Sequence, residues 1–229
     1  MAALALIMAS CSNDEENVVT GNGEVANAVP VQISQKVTGV ESKAAIIPGN
    51  KMDAVIIMVD GNSSSASAPD FESFVPKKDN TLNNQNKFAS DGDRANYANT
   101  QFTASTTAND IILTPMLYYP VEGDASPNKT WILGVAPQGT VSGTTVTFTQ
   151  TDGLQDVMFA GQQAAGSGAT SDQTKAALDF QHKTTQLTFV AQLSKSLDGT
   201  EWANKTVSVK DITIQNAEVP ASLAFNTGT

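Results

Sequence analysis

Apolar residues in this chain recur at every second position, and no segment sustains the 3.6-residue period of an amphipathic helix. Val29, Val31 and Ile33 alternate with polar residues and Val37 keeps their parity, so residues 29–37 read as a strand with one apolar face. Pro30 cannot donate to a ladder and places that strand at a sheet edge. Residues 54–59, AVIIMV, are continuously apolar, as a strand buried on both faces would be. Residues 60–110 are rich in Ser, Asn and Asp with scattered aromatics, and read as loops around short strands. Further strands are predicted at 111–119, 130–136, 144–149, 187–193 and 206–214, separated by Gly, Pro, Asn and Asp. In the last of these Val207 and Val209 are odd but Ile212 and Ile214 even, a parity switch that predicts a β-bulge at Lys210-Asp211. Short helical pieces are expected only at 154–161 and 173–178. The fold class is therefore mainly β, with two packed antiparallel sheets joined by Greek-key links over residues 29–229.

Composition removes whole classes of chemistry. The chain holds one Cys, one His and one Arg, so disulfide scaffolds and Cys/His metal clusters cannot be built within it. A net charge of -10 without a basic run leaves no cationic surface for nucleic acid. A Ser/His/Asp hydrolase would have to use His182, the only imidazole, with a serine on a strained Gly-x-Ser-x-Gly turn, and no such motif occurs. His182 shares its parity with Leu178 and Phe180, the pattern of a hydrogen-bonded histidine on a sheet face. No phosphate-cradling glycine motif is present; Gly166-Ser167-Gly168 reads as a loop. Asp70, Glu72, Asp152, Asp156 and Asp179 are available to a glycosidase, as carboxylates are in any acidic chain. Asp91-Gly92-Asp93 resembles a calcium loop, but Asn96 stands where the turn glycine belongs and Phe102 where the bidentate Glu belongs. No catalytic residue, metal or cofactor is expected.

The amino terminus carries a different signal. Residues 2–9, AALALIMA, are too few to span a membrane and end in small residues before Cys11. Met8-Ala9-Ser10-Cys11 resembles the lipobox of bacterial lipoproteins, which implies a signal peptide over 1–10 and diacylglycerol on the Cys11 thiol. A plain hydrophobic N-terminus with a buried thiol is the alternative, because a positively charged leader is missing. Ser12-Asn13-Asp14-Glu15-Glu16 is an acidic tract that reads as a solvated tether and looks like the export tag of surface lipoproteins in Bacteroides-type bacteria. With the polar stretch 17–28 it forms a linker over 11–28.

Four blocks in the second half follow one another in a telling order: Leu117-Tyr118-Tyr119-Pro120, the WILGVAP of 131–137, the TDGLQDVMFA of 151–160, and Phe180-Gln181-His182-Lys183 leading into Leu187-Thr188-Phe189. Together with the lipobox they resemble the fimbrillin family of Bacteroides-type bacteria. The resemblance implies a transthyretin-like β-sandwich as the N-terminal of two domains, with the C-terminal one apparently absent after 206–214. It implies an outer-membrane, cell-surface location in a fimbrium, other fimbrillin subunits as partners, the membrane reached through the lipid, and a host or bacterial surface ligand. It also implies assembly by strand exchange: a protease cuts after a basic residue, usually Arg, the first strand leaves, and a neighbour's strand fills the groove. Here that strand is the one bearing Val29, Val31, Ile33 and Val37, and the cut would fall at Lys43-Ala44. The only arginine, Arg94, lies inside the domain, so either a lysine-tolerant protease acts or the strand is retained. A carbohydrate-binding surface lipoprotein is the alternative, with Trp131, Trp202, Tyr118 and Tyr119 as stacking candidates. An enzyme built on a sandwich ranks third.

Overall fold

Lys51–Asp60 (β2) shows why a run of apolar residues becomes a strand with two buried faces. Met52, Ala54, Ile56 and Met58 enter one hydrophobic core, while Val55 and Ile57 enter another on the opposite face. A computed structural model describes residues 29–38, 48–60, 69, 71–83, 88, 90–120, 130–149, 155–166, 174–184, 187, 189–190, 208–215 and 219–228. The other elements in it are β1 (Ile33–Thr38), a 3₁₀ turn at Asp91–Asp93, β3 (Tyr97–Thr103), β4 (Asn109–Asp110), β5 (Thr130–Ala136), β6 (Thr140–Ser142), β7 (Thr145–Thr147), β8 (Met158–Ala164), β9 (Ala176–His182) and β10 (Ser222–Ala224). The chain is mainly β.

Seven strands form one sheet in the order β3-β2-β5-β8-β9-β1-β4, and three form a second in the order β10-β7-β6. The first sheet is mixed: its ladders are antiparallel except that β1 runs parallel to β9, from Ile33 opposite Ala176 to Thr38 opposite Gln181. The sheet curls so that its two ends approach. Residues 104–119 cross the gap between them, bonding to β1 and the residues before it through Val37 N to Ser105 O, Ile111 N to Ile33 O, Val31 N to Leu117 O and Tyr119 N to Val29 O. The same segment reaches the far end of the sheet where Asn99 and Thr114 exchange backbone hydrogen bonds. Inside the curl lies the larger core, with Phe180, Leu178, Ile56, Ile132, Met158 and Leu117 fully buried. The smaller core, around Phe225, Phe148, Leu133 and Val135, sits between the back of the curl and the second sheet.

Several expectations need correction. The helical pieces predicted at 154–161 and 173–178 overlap β8 and β9 instead; Met158 and Ala160, then Ala176, Leu178 and Phe180, alternate into the larger core, so period two prevails. The only helical element among the described residues is the 3₁₀ turn. Residues 111–119 are no strand but the seam segment, touching others through single bridges at Thr114 and Tyr118, because Pro115 and Pro120 remove ladder donors. The residues described within 187–193 and 206–214 are outside strands, and Leu187, Phe189, Val209, Ile212 and Ile214 are exposed, so there is no bulge at Lys210-Asp211. Alternation makes a strand only where a partner supplies the ladder, and no described strand pairs with these residues. Pro30 stands before β1 rather than within it, and β1 is next to the edge, flanked by the two-residue β4.

Candidate functional site

The strand that the sequence singles out for displacement is held from three directions. Val31, Ile33 and Val37 are buried in the larger core, and Val29 packs against it. Burying an aliphatic side chain contributes about 1.5–3 kcal/mol, so these contacts dominate the hold on β1. On one edge β1 pairs with β9 over six residues. On the other, β4 supplies only the pairs Ser34 with Asp110 and Gln35 with Asn109, and the seam segment completes the enclosure. The outward face adds little: Lys36 Nζ lies 3.2 Å from Asp179 Oδ2 with both side chains partly exposed. Thr38 Oγ1 also donates to Asp179, and Lys175 pairs with Asp110 across the same rim.

One residue in this strand breaks the apolar row. Gln35 shares the inward parity of Val31, Ile33 and Val37 and is only 1% exposed. Its Nε2 donates to Thr103 O at 3.2 Å, while its Oε1 is buried with no partner among the described residues. The sequence shows this as the single polar member of the 31, 33, 35, 37 series, a signal the alternation alone does not weigh.

Cys11, Lys43, Ala44 and Trp202 lie outside the described residues, so the expected lipidation and cleavage positions have no structural account. Arg94 is 4% exposed and ion-paired with Asp60, and it donates to Tyr118 O at 2.6 Å. Its guanidinium ties the end of β2 to the seam, a role that the sequence did not suggest. Beside it opens a cleft of about 510 Å³ lined by Phe74, Lys77, Asp60 and Asn96 among others.

His182 sits at the end of β9 with Nδ1 2.5 Å from Asp156 Oδ2, and Thr184 Oγ1 donates to Asp156 Oδ1 at 3.0 Å. The ring and the hydroxyl both reach Asp156, and the amide of Val157 donates to Thr184 Oγ1 at 3.4 Å. Since a carboxylate only accepts, the imidazole carries its proton on Nδ1. Nε2 is buried, and no hydroxyl among the described residues lies within hydrogen-bond distance of it. The pair closes the β8–β9 ladder where Met158 faces His182. Of the other carboxylates, Asp179 lies on the opposite face of β9 from His182 and binds Lys36 and Thr38. Asp70 and Asp152 lie outside the described residues. Asp93 turns back to accept from the amide and hydroxyl of Ser90, and Asn96 bonds Lys77 N and Val75 O, so that loop satisfies itself. Among the described residues no three His, Cys, Asp or Glu side chains gather as a metal site would require.

The aromatic candidates among the described residues do not share a surface. Tyr119 is buried with its hydroxyl donating to Ala165 O at 2.6 Å, Tyr118 stacks edge-on to Phe88, and Trp131 packs against the smaller core. Among the described residues no helix is long and apolar enough to cross a membrane. No family model, curated protein or solved structure matches the chain.

Proposed function

We propose that this protein is a structural or adhesive subunit of a surface filament of the fimbrillin kind, anchored through a lipid on Cys11 and assembled by exchange of its first strand. The observation that carries the reading is the placement of β1. Two of its side chains, Ile33 and Val37, with Val31 just before them, complete the larger core, while the strand itself lies one position from the sheet edge. Taking it away would expose the flank of β9 and a trough lined by Ala176, Leu178 and Phe180, the backbone and side-chain template that β-augmentation uses. The chain then runs through residues 39–50 to β2, and Lys43 stands in that connection. A cut there severs β1 from the rest of the domain without touching another described element. Arg94, the alternative basic target of an arginine-specific protease, is buried and paired.

The test is the intact mass and N-terminal sequence of the mature protein taken from its cell surface, for the wild type and for Cys11→Ser and Lys43→Gln. The expected result is a lipidated form trimmed to Ala44 that yields SDS-resistant ladders, with Cys11→Ser losing the anchor and Lys43→Gln losing both trimming and ladders. A mature wild-type chain that keeps Val29 to Val37 and stays monomeric would sink the strand-exchange reading.

A further inference from the structure

We infer that Gln35 is a specificity-determining position: the trough occupied by β1 binds an extended segment carrying an apolar side chain there more tightly than it binds β1 itself. The inference rests on the strand-exchange reading above. The position is enclosed, at 1% exposure, and lies in register with Leu178 of β9 between the inward residues Ile33 and Val37. Every other inward side chain from 31 to 37 is aliphatic. An amide placed there must leave water, and it regains a single hydrogen bond: Nε2 reaches Thr103 O at 3.2 Å, and Oε1 reaches nothing among the described residues. Thr103 is an exposed residue and its bond with Gln35 is only part-buried, so the acceptor left behind is not sealed in the core. A Leu or Met side chain of comparable length has no such debt of desolvation and adds contacts to the core around it.

The consequence is directional. A strand that matches β1 in its backbone and at 31, 33 and 37 but brings an apolar residue at 35 wins the competition, and the reverse replacement loses it. β1 is thus the weaker occupant of its own trough, which is what an exchangeable strand requires. The partner selected is an extended segment with apolar residues at four successive alternate positions, not one with a polar residue third in the row.

The intact chain supplies its own test, because β1 is the occupant in cis. Amide hydrogen exchange is followed in wild type, Gln35→Leu and Gln35→Met, reading Ile33 to Thr38 against the β2 amides. A buried unsatisfied polar group sets the scale, so both variants are expected to slow exchange in β1 by roughly 5- to 100-fold relative to β2. Equal or faster exchange in β1 in both variants, or a gain spread evenly over β2, overturns the inference. A second arm asks whether the chain cut with lysine-specific protease takes up synthetic 29–38 peptides. Preference for the peptide with Leu at 35 supports the inference in trans, and preference for the Gln peptide overturns it. Uptake of neither peptide refutes strand exchange, while the hydrogen-exchange arm still decides what the trough prefers at position 35.

Discussion

Gly134 lies in β5 with its missing side chain aimed at the larger core, on the same face as Ile132 and Ala136. A Cβ built there would stand 2.5 Å from Phe180 Cζ, 2.9 Å from Cε1 and 3.4 Å from Leu178 Cδ1. Carbon atoms in contact sit about 3.5–4.0 Å apart, so Gly134→Ala requires the ring tip to withdraw by about 1 Å. Phe180 has no room to do so: it is fully buried and packs against Phe102 with ring centroids 5.5 Å apart. Forcing a methyl into such a site costs about 1–3 kcal/mol. At roughly 2–4 °C per kcal/mol for a chain of this size, the melting temperature falls by about 2–12 °C. Phe180→Leu removes the two clashing ring atoms and alone costs about 1 kcal/mol. In the double variant the clash is gone, so the two losses do not add; urea unfolding should return a coupling of about 1 kcal/mol or more in favour of the pair. A neutral Gly134→Ala, or additive losses, would refute the claim that this glycine exists to admit Phe180. Phe180 also faces Val37 across the β1–β9 ladder, so the same substitution disturbs the floor of the trough.

Asp156→Ala leaves His182 Nδ1 and Thr184 Oγ1 without their shared acceptor, and urea unfolding should show a loss of about 1–3 kcal/mol, against roughly 1 kcal/mol for Thr184→Val. Arg94→Met removes the guanidinium from Asp60 and from the Tyr118 carbonyl; because the Asp60 side chain stays 30% exposed and partly hydrated, the loss should be roughly 2–3 kcal/mol, below the full penalty of a broken buried pair. The same burial predicts that arginine-specific protease leaves the native wild-type chain intact at Arg94 and cuts it only in denaturant, a result read directly by mass spectrometry.

What the residues disclose follows from how local their physics is. The strand at 130–136 was legible to the residue because its apolar run is bounded by Pro, Asn, Gln and Gly in the sequence on both sides, and β2 because a run buried on two faces needs no partner to be recognised. β8 and the start of β9 were obscured by Ala and Gln, which sit as readily in a helix, whereas the alternation of Leu178, Phe180 and His182 already read as a half-buried strand. The parallel pairing of β1 with β9 joins residues more than 140 positions apart, and nothing in either segment specifies its direction. The seam was misread because 111–119 is apolar enough for a strand while its prolines interrupt the ladder. Of the candidate site, the apolar parity of Val29, Val31, Ile33 and Val37 was plain, whereas the cost of Gln35 depends on what surrounds its amide and emerges only from the packed core.

On the proposed reading, the seam and the tether explain why a weak first strand does not simply come loose. β1 is bonded along both edges, and the chain that follows it to β2 holds it close to its trough even when it opens. A short covalent connection keeps a segment at an effective concentration on the order of millimolar. A neighbouring subunit at micromolar concentration therefore begins about a thousandfold behind, a handicap of about 4 kcal/mol. The unsatisfied amide of Gln35, at about 1–3 kcal/mol, is too small to reverse that order by itself. Once a cut between β1 and β2 abolishes the tether, the same increment decides which strand stays. The two features thus act in sequence: covalent connection keeps the subunit closed, and the buried amide biases what replaces β1 after the connection is gone.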